Sequence, residues 1–234
     1  SLYLRGKEQL VLKRNDGYIG VLIDDIVTKG TNEPYRMMTS RAEYRLWLRQ
    51  DNADLRLTEI GRAVGLVDDK RWKIFLKKKK ELAEAYELLK TKYKAEEVKD
   101  FYLENGENPP KESVTVKDML KRSNIDAFKI NDRFKTFEKY SFEIINELNI
   151  QVKYEGYLKQ QLEEIEKFKK NEDITIPADF DYSKYHGLRL EAIEKLQAIR
   201  PLNIGQASRI SGVSPSDIAV LSVLVKKFKE ENKK

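Results

Sequence analysis

Apolar residues recur at every third or fourth position along two long stretches of this chain, and that spacing constrains the fold more than any other feature. The first stretch contains Trp72, Phe75, Leu76, Leu82, Ala83, Tyr86, Leu89 and Tyr93. The second, from about Gln151 to Lys170, contains Tyr154, Tyr157, Leu158, Leu162, Ile165 and Phe168. Because a helix with one apolar stripe needs a partner that covers it, the spacing predicts a long antiparallel helix pair.

The other segments also predict a mainly α fold, a helical bundle. Apolar residues after Tyr18 indicate a helix that ends near Gly30, and a short irregular or extended segment near the N-terminus follows it. Shorter helices are predicted for Val114–Arg122, around Asp126–Phe134 and for Phe137–Leu148. Beyond an extended strap at 174–187, the chain predicts a small C-terminal helical subdomain whose last helix opens with the cap Ser214-Pro215. We therefore expect domain boundaries at 1–50, 51–173 and 174–234.

Composition excludes several kinds of active site. The chain has no cysteine and a single histidine, so it cannot form a disulfide, a thiolate nucleophile or a cluster of histidine and cysteine metal ligands. It has no glycine-rich phosphate loop, and its longest apolar run, Ile218–Val225, is too short to span a bilayer. The sequence therefore predicts no catalytic, cofactor-binding or metal-binding residue, and a cytoplasmic location.

A cluster of arginines and aromatic residues is the candidate for binding. The 234 residues carry a net charge of +6, which is compatible with a polyanionic partner but does not establish one. Five arginines stand among Tyr35, Tyr44 and Trp47, namely Arg36, Arg41, Arg45, Arg49 and Arg56. Guanidinium groups suit phosphate and aromatic rings stack on bases, so the cluster predicts RNA contact. Alternatively, these arginines pair with Glu43, Asp51 or Asp54 as scaffolding, and composition leaves both readings open.

Two further patterns have less certain roles. The paired carboxylates Asp24-Asp25 lie on an apolar helix, and the sequence gives no reason for two acids there. The segment from Gly205 to Pro215 has the spacing of a helix-turn-helix, but the helix after it is apolar at Ile218–Val225. Such a helix is expected to be buried or docked on a protein rather than to read DNA.

Three blocks of sequence carry a family resemblance. They are EPYRMMTSRAEYRLWLRQDNADLRLTEIGRAVGLVDD, KYEGYLKQQLEEIEK, and IPADFDY followed by KLQAIRPLNIGQASRISGVSPSDIAVL. In this order they resemble the C-terminal part of the GidA/MnmG family, flavin-dependent enzymes that modify uridine in tRNA. The resemblance covers nearly the whole chain, with residues 94–136 the most divergent.

The resemblance implies a function for the longer protein. Members of the family bind FAD, use NADH and work with a GTPase of the MnmE type to build a (carboxymethyl)aminomethyl group on the wobble uridine of tRNA. The full-length protein is expected to be a homodimer. The flavin fingerprint belongs to the family's N-terminal part, so residues 1–50 are expected to be the tail of the flavin-domain region. This chain alone is expected to bind no cofactor and to be inactive.

The resemblance also suggests roles for individual residues. The five arginines named above are assigned to tRNA contact, with the wall of the active-site cleft as the alternative for Arg36, Arg41, Arg45 and Arg49. A second set is assigned to docking of the partner, or of tRNA: Arg200, Gln206, Arg209, Ser214, Pro215 and Asp217. The competing interpretation is a helical module for protein interaction only, whose arginines are structural.

Overall fold

Ten α-helices account for most of the regular structure in residues 2–31, 33–172 and 174–232, the parts of the chain that the computed structural model describes. They are α1 (Tyr18–Lys29), α2 (Ala53–Ala63), α3 (Asp69–Leu88), α4 (Ala95–Glu104), α5 (Val116–Leu120), α6 (Ala127–Phe134), α7 (Phe142–Glu172), α8 (Leu190–Ile199), α9 (Ile204–Arg209) and α10 (Pro215–Glu231). Two short antiparallel strands, β1 (Lys92–Tyr93) and β2 (Val114–Thr115), pair with Lys92 opposite Thr115. The predicted mainly α class is confirmed.

The chain divides into two compact units. The first unit comprises Arg49–Lys159 together with the residues up to Glu8, and the second comprises Gln9–Leu48 together with the residues from Gln160 onward. The sequence predicted a separate segment at 1–50, whereas the structure groups residues 9–48 with the C-terminal residues. The physical reason is a set of long-range ion pairs, described below, that sequence spacing does not reveal.

The core of the first unit joins the first predicted apolar stripe to the N-terminal part of α7. Leu82, Ala85 and Leu89 pack in one cluster with Leu148 and Val152 of α7. Short helices complete the cluster, with Val98, Met119, Leu120 and Ile130 among its fully buried side chains.

The second predicted stripe does not take part in this core, so that expectation is wrong. Tyr154, Tyr157, Leu162 and Phe168 are exposed, and Ile165 packs with Val21 and Tyr44 in a separate cluster. The two long helices share one core through residues of α7 that precede the predicted stripe.

Two predicted helix boundaries are wrong. The helix expected at Phe137–Leu148 begins only at Phe142. It continues without a break into the helix expected from Gln151, so both form α7, because no glycine or proline between Leu148 and Gln151 would end it. The first long helix ends at Leu88, and Tyr93 lies in β1. The Tyr93 ring packs 4.7 Å from that of Phe134, so its apolar character serves the core from a strand.

The second unit has a compact core at its C-terminal end. Phe180, Tyr182, Leu196, Ile204, Leu221 and Val225 are buried together. The start of α10 follows the sequence signal, since Ser214 accepts a hydrogen bond from the Asp217 amide and Pro215 occupies the first turn. The apolar face of α10 is consequently buried in its own subdomain, as expected for a helix that does not read DNA.

Candidate nucleic-acid interface

The arginine–aromatic segment of the second unit forms a loop rather than a long strand or helix. Residues 34–38 lack regular structure, and a short 3₁₀ turn follows at Thr39–Arg41. Tyr44 and Leu48 anchor the loop in a small core with Val21 and Ile165. The indole nitrogen of Trp47 also donates to the Asn15 carbonyl at 3.1 Å. The loop backbone is therefore fixed while its polar side chains face outward.

Three of the five predicted arginines are exposed on this loop. The Arg41 guanidinium lies 4.6 Å from the centre of the Tyr35 ring, a cation–π contact that orients it. Among the residues that the structure describes, the side chains of Arg36 and Arg45 have no hydrogen-bond or ion-pair partner, and both are exposed. These three side chains can reach a polyanion without breaking an existing ion pair.

The other two predicted arginines belong to the first unit and hold protein groups. Arg49 binds both oxygens of Asp51 at 3.1 Å through Nε and lies 3.5 Å from Glu147. Arg56 donates to the side chain of Asn52 at 2.9 Å and to the Arg49 carbonyl at 3.1 Å. Arg49 and Arg56 therefore make the contacts expected if these arginines stabilise the protein itself.

A buried ionic network, which sequence reasoning missed, supports the loop. Arg14 is 4% exposed, and its guanidinium binds Glu43 at 2.7 Å, Asp24 at 3.0 Å and Asp25 at 2.8 Å. It also lies 3.4 Å from the carbonyl oxygen of Arg41. One buried cation thus joins α1 to the backbone of the exposed arginine loop.

The network explains the paired carboxylates that the sequence left open. Asp24 receives two hydrogen bonds from Arg209, at 2.7 and 2.8 Å, and Arg209 also pairs with Glu172 at 3.4 Å. One carboxylate oxygen of Asp25 pairs with Arg14 and Lys29. The other accepts a hydrogen bond from the Tyr35 hydroxyl at 2.7 Å. The two acids therefore share Arg14, and each has a second cation, Arg209 for Asp24 and Lys29 for Asp25. Asp24 thereby links α1 to α9.

Titration equilibria follow these contacts. Burial disfavours the charged forms of both Asp25 and Arg14. For Asp25, hydrogen bonds from Tyr35, Arg14 and Lys29 outweigh the effect of burial and hold the pKa of the carboxyl below its usual value. For Arg14, hydrogen bonds to Glu43 and Asp25 outweigh the effect of burial and raise the pKa of the guanidinium. Burial, reinforced by Glu43 and Glu172, raises the pKa of Tyr44 to about 12. Asp25 and Arg14 are therefore both ionised at neutral pH, and the Tyr44 hydroxyl stays protonated.

The residues predicted to dock a partner mostly hold their own subdomain together. Asp217 is 2% exposed and binds Arg189 at 2.7 Å, and hydrogen bonds from Arg189 and Ser214 depress its pKa strongly. Gln206 accepts from the Leu202 amide, and Arg200 donates to the Phe180 carbonyl at 3.0 Å. These contacts within the subdomain explain why arginine, glutamine and aspartate occupy the three positions, whether or not a partner protein binds there.

A cleft in the first unit does not suit a dinucleotide. Its volume is about 720 Å³, and exposed Ile74 and Phe142 stand at its wall. Its polar lining includes Lys78 and the four carboxylates Asp51, Asp54, Glu143 and Glu147. Lys78 is already paired with Asp54 at 2.7 Å, so a diphosphate would meet a net negative wall. These residues do not fit FAD, and no redox step is assigned to them.

Two kinds of feature are absent from the described residues. No group of three or more histidine, cysteine or acidic side chains is placed to hold a metal ion. In the same parts of the chain, no helix combines the length and apolar character needed to cross a membrane.

Family models match two adjacent parts of the chain. Residues 69–162 match the "tRNA modifying enzyme MnmG/GidA C-terminal helical domain" and residues 164–234 the "C-terminal helical bundle" of the same enzyme. The join between the matches lies within α7, close to the point where the structure passes from one unit to the other.

Individual relatives agree with the family models. The chain is 51% identical over 233 residues to the tRNA uridine 5-carboxymethylaminomethyl modification enzyme MnmG of Clostridium botulinum, covering 99% of this chain and 37% of that protein. It is 50% identical to the MnmG of Caldicellulosiruptor saccharolyticus, of which it covers 38%. The solved structure of Aquifex aeolicus GidA aligns with a TM-score of 0.77 and 37% identity, over 96% of this chain and 35% of that one.

Replacing Arg14 by methionine should destabilise the protein by about 3–5 kcal/mol, because three carboxylates would lose a buried cation. Urea unfolding followed by circular dichroism would measure the change. The matched variant Arg36→Met removes an exposed arginine without a described partner and should stay within about 0.5 kcal/mol of the parent. Equal effects of the two substitutions would contradict a central role for Arg14.

The contribution of Asp25 should depend on pH. Because its folded-state pKa is depressed, its stabilisation is present above the unfolded value of about 3.9 and is lost as the pH falls through the lower folded value. The difference in unfolding free energy between the parent and Asp25→Asn should therefore narrow below about pH 4. Asp132→Asn, at an exposed position of α6, is the matched control for the loss of one carboxylate. A constant Asp25→Asn difference down to pH 2 would contradict the assignment.

Proposed function

Because the chain belongs to the MnmG/GidA family, as its C-terminal helical region, we propose that it binds tRNA and the partner protein for an FAD-dependent tRNA-modifying enzyme. The enzyme would use NADH and, with a GTPase of the MnmE type, install a (carboxymethyl)aminomethyl group on the wobble uridine. The chain spans about 37% of the length of the curated relatives it matches. The flavin chemistry would belong to the rest of the longer protein, which we propose to be a homodimer in the cytoplasm.

The observation that carries the tRNA proposal is the exposed loop with Arg36, Arg41 and Arg45. Arg41 lies over the Tyr35 ring, and this ring is in turn held by the hydrogen bond from its hydroxyl to Asp25. A guanidinium held in place loses less side-chain entropy on binding a phosphate than a free one does. Since the Arg14 network already neutralises the acids behind the loop, the positive charge of the loop is available to the polyanion.

Arg49 and Arg56 have a smaller part in this proposal. Their donors already bind Asp51, Asn52 and a carbonyl, so a phosphate would have to compete with groups that are close and fixed. We therefore propose that they shape the start of the first unit, and that direct phosphate contact falls to the three exposed arginines.

Exposed apolar side chains favour the C-terminal subdomain as the surface for the GTPase. Leu190, Leu202 and Val223 are 80%, 65% and 66% exposed. The residues first assigned to docking lie nearby in sequence, but Ser214, Pro215 and Asp217 form the cap of α10 and Arg209 holds Asp24. We propose that these four support the surface and that the apolar side chains make the contact.

The tRNA proposal predicts a charge-specific loss of binding. Removing two exposed arginines with Arg36→Ala and Arg45→Ala should weaken tRNA binding by the full-length protein and lower the slope of log affinity against log salt by about 1 per arginine. Fluorescence anisotropy with labelled tRNA at several salt concentrations would measure both.

The matched control removes two exposed arginines of the first unit, Arg71→Ala with Arg133→Ala, and so changes the net charge equally. It should leave the slope within error of the parent. If the two double variants have the same affinity for tRNA and the same salt slope, the alternative is favoured, in which the chain is a module for protein interaction only.

The docking proposal predicts that Val223→Glu abolishes capture of the GTPase by the full-length protein while the melting temperature stays unchanged. Deleting α10 would not be informative, because Leu221 and Val225 belong to the core of the subdomain. Leu103→Glu, at a 57% exposed leucine of α4, is the control and should bind normally in a pull-down. Retention of the GTPase by the Val223 variant would exclude this surface.

A further inference from the structure

The cleft of the first unit has more negative charge than its own cations neutralise. Four carboxylates line it, those of Asp51, Asp54, Glu143 and Glu147. Asp51 is paired with Arg49 at 2.9 Å. Asp54 is paired with Lys78 at 2.7 Å. Glu143 is exposed, and its side chain has no hydrogen-bond or ion-pair partner among the residues that the structure describes.

The fourth acid, Glu147, is buried with one oxygen unsatisfied. The residue is 2% exposed, and its Oε1 accepts a hydrogen bond from the Gln151 side chain at 2.6 Å and lies 3.5 Å from Arg49. Its Oε2 has no hydrogen-bond partner in the described parts of the chain. Burial and the neighbouring Asp51 raise the pKa of Glu147. Since a buried acceptor without a donor is costly, either a proton or a bound cation completes this oxygen.

The rest of the wall is apolar and suits methylene groups. Ile74 and Phe142 are 61% and 69% exposed, and the rings of Phe142 and Phe128 are stacked with their centres 4.9 Å apart. The volume of about 720 Å³ lies in the range of roughly 300–1,000 Å³ that is usual for small-molecule sites. The described acids form no group placed to hold a metal ion. A ligand for this wall therefore needs several positive charges spread along an apolar chain.

We propose that the cleft binds a linear aliphatic polyamine, with ammonium groups at the carboxylates and methylene groups against Ile74 and Phe142. Glu143 and Glu147 are four residues apart on α7, so they lie one turn apart on the same side of the helix. A cation there relieves the repulsion between two like charges at this spacing. Lys78 already places one ammonium at this wall. The proposal is independent of the proposed binding of tRNA and of the GTPase.

Equilibrium dialysis of the full-length protein, free of tRNA, against labelled spermidine at about 0.15 M salt tests the site. Ile74→Lys brings an ammonium of the protein itself into the cleft and should weaken spermidine binding about tenfold. The matched control is Leu103→Lys in α4, at a 57% exposed leucine outside the cleft. It adds the same charge and should bind spermidine as the parent does.

Four results would overturn the proposal. No binding by the parent at millimolar spermidine would show that a proton completes Glu147. Equal losses in the two lysine variants would show that spermidine responds only to net charge. Displacement of spermidine by magnesium chloride at constant ionic strength would show an unselective acidic surface. If Ile74→Lys lowers the melting temperature, Glu143→Gln is used instead, and an affinity equal to that of the parent would contradict the site.

Discussion

One buried charge determines how the second unit is assembled. A guanidinium with 4% exposure is costly unless its donors meet acceptors, and Arg14 meets three carboxylates. Those carboxylates come from α1 and from the loop at Glu43, so folding must bring both segments together before the charge can be buried. Asp24 then carries the connection on to Arg209 of α9. The geometry of the arginine loop depends on this chain of ion pairs.

The same network fixes the orientation of α1. Its acids face Arg14, and Val21 on the inward side packs with Tyr44 and Leu48. Gly20 allows the close approach to the Lys13 carbonyl that this orientation requires. The buried acids and the buried Val21 together hold α1 against the arginine loop, so the ionic network and the small apolar core act at the same contact.

Local signals in the sequence predicted much of the fold, whereas long-range pairs were not predictable. The cap at Ser214-Pro215, the stop at Gly30 and the first apolar stripe correspond to observed features. The second stripe does not, because Tyr154, Tyr157 and Phe168 are exposed. The partners of Asp24 and Asp25 lie up to 185 residues away, and no spacing rule reaches that far. Arg14 lies beside Lys13 and close to Asp16 in the sequence, and no pattern distinguished it from these charged residues. Only the unexplained pair of acids on an apolar helix hinted at a buried cation.

Arginines of identical chemistry divide into two groups according to the acids near them in space. Arg14, Arg49, Arg189 and Arg209 each meet at least one carboxylate with little freedom to leave it. Their positive charge is cancelled within the protein, so composition alone overstates what the chain offers a polyanion. Arg36 and Arg45 keep their charge for solvent, and the Tyr35 ring directs Arg41. With a modest net charge of +6, the loop can still present a local excess of positive charge, because among the described residues its three exposed arginines are not paired with carboxylates as Arg14, Arg49, Arg189 and Arg209 are.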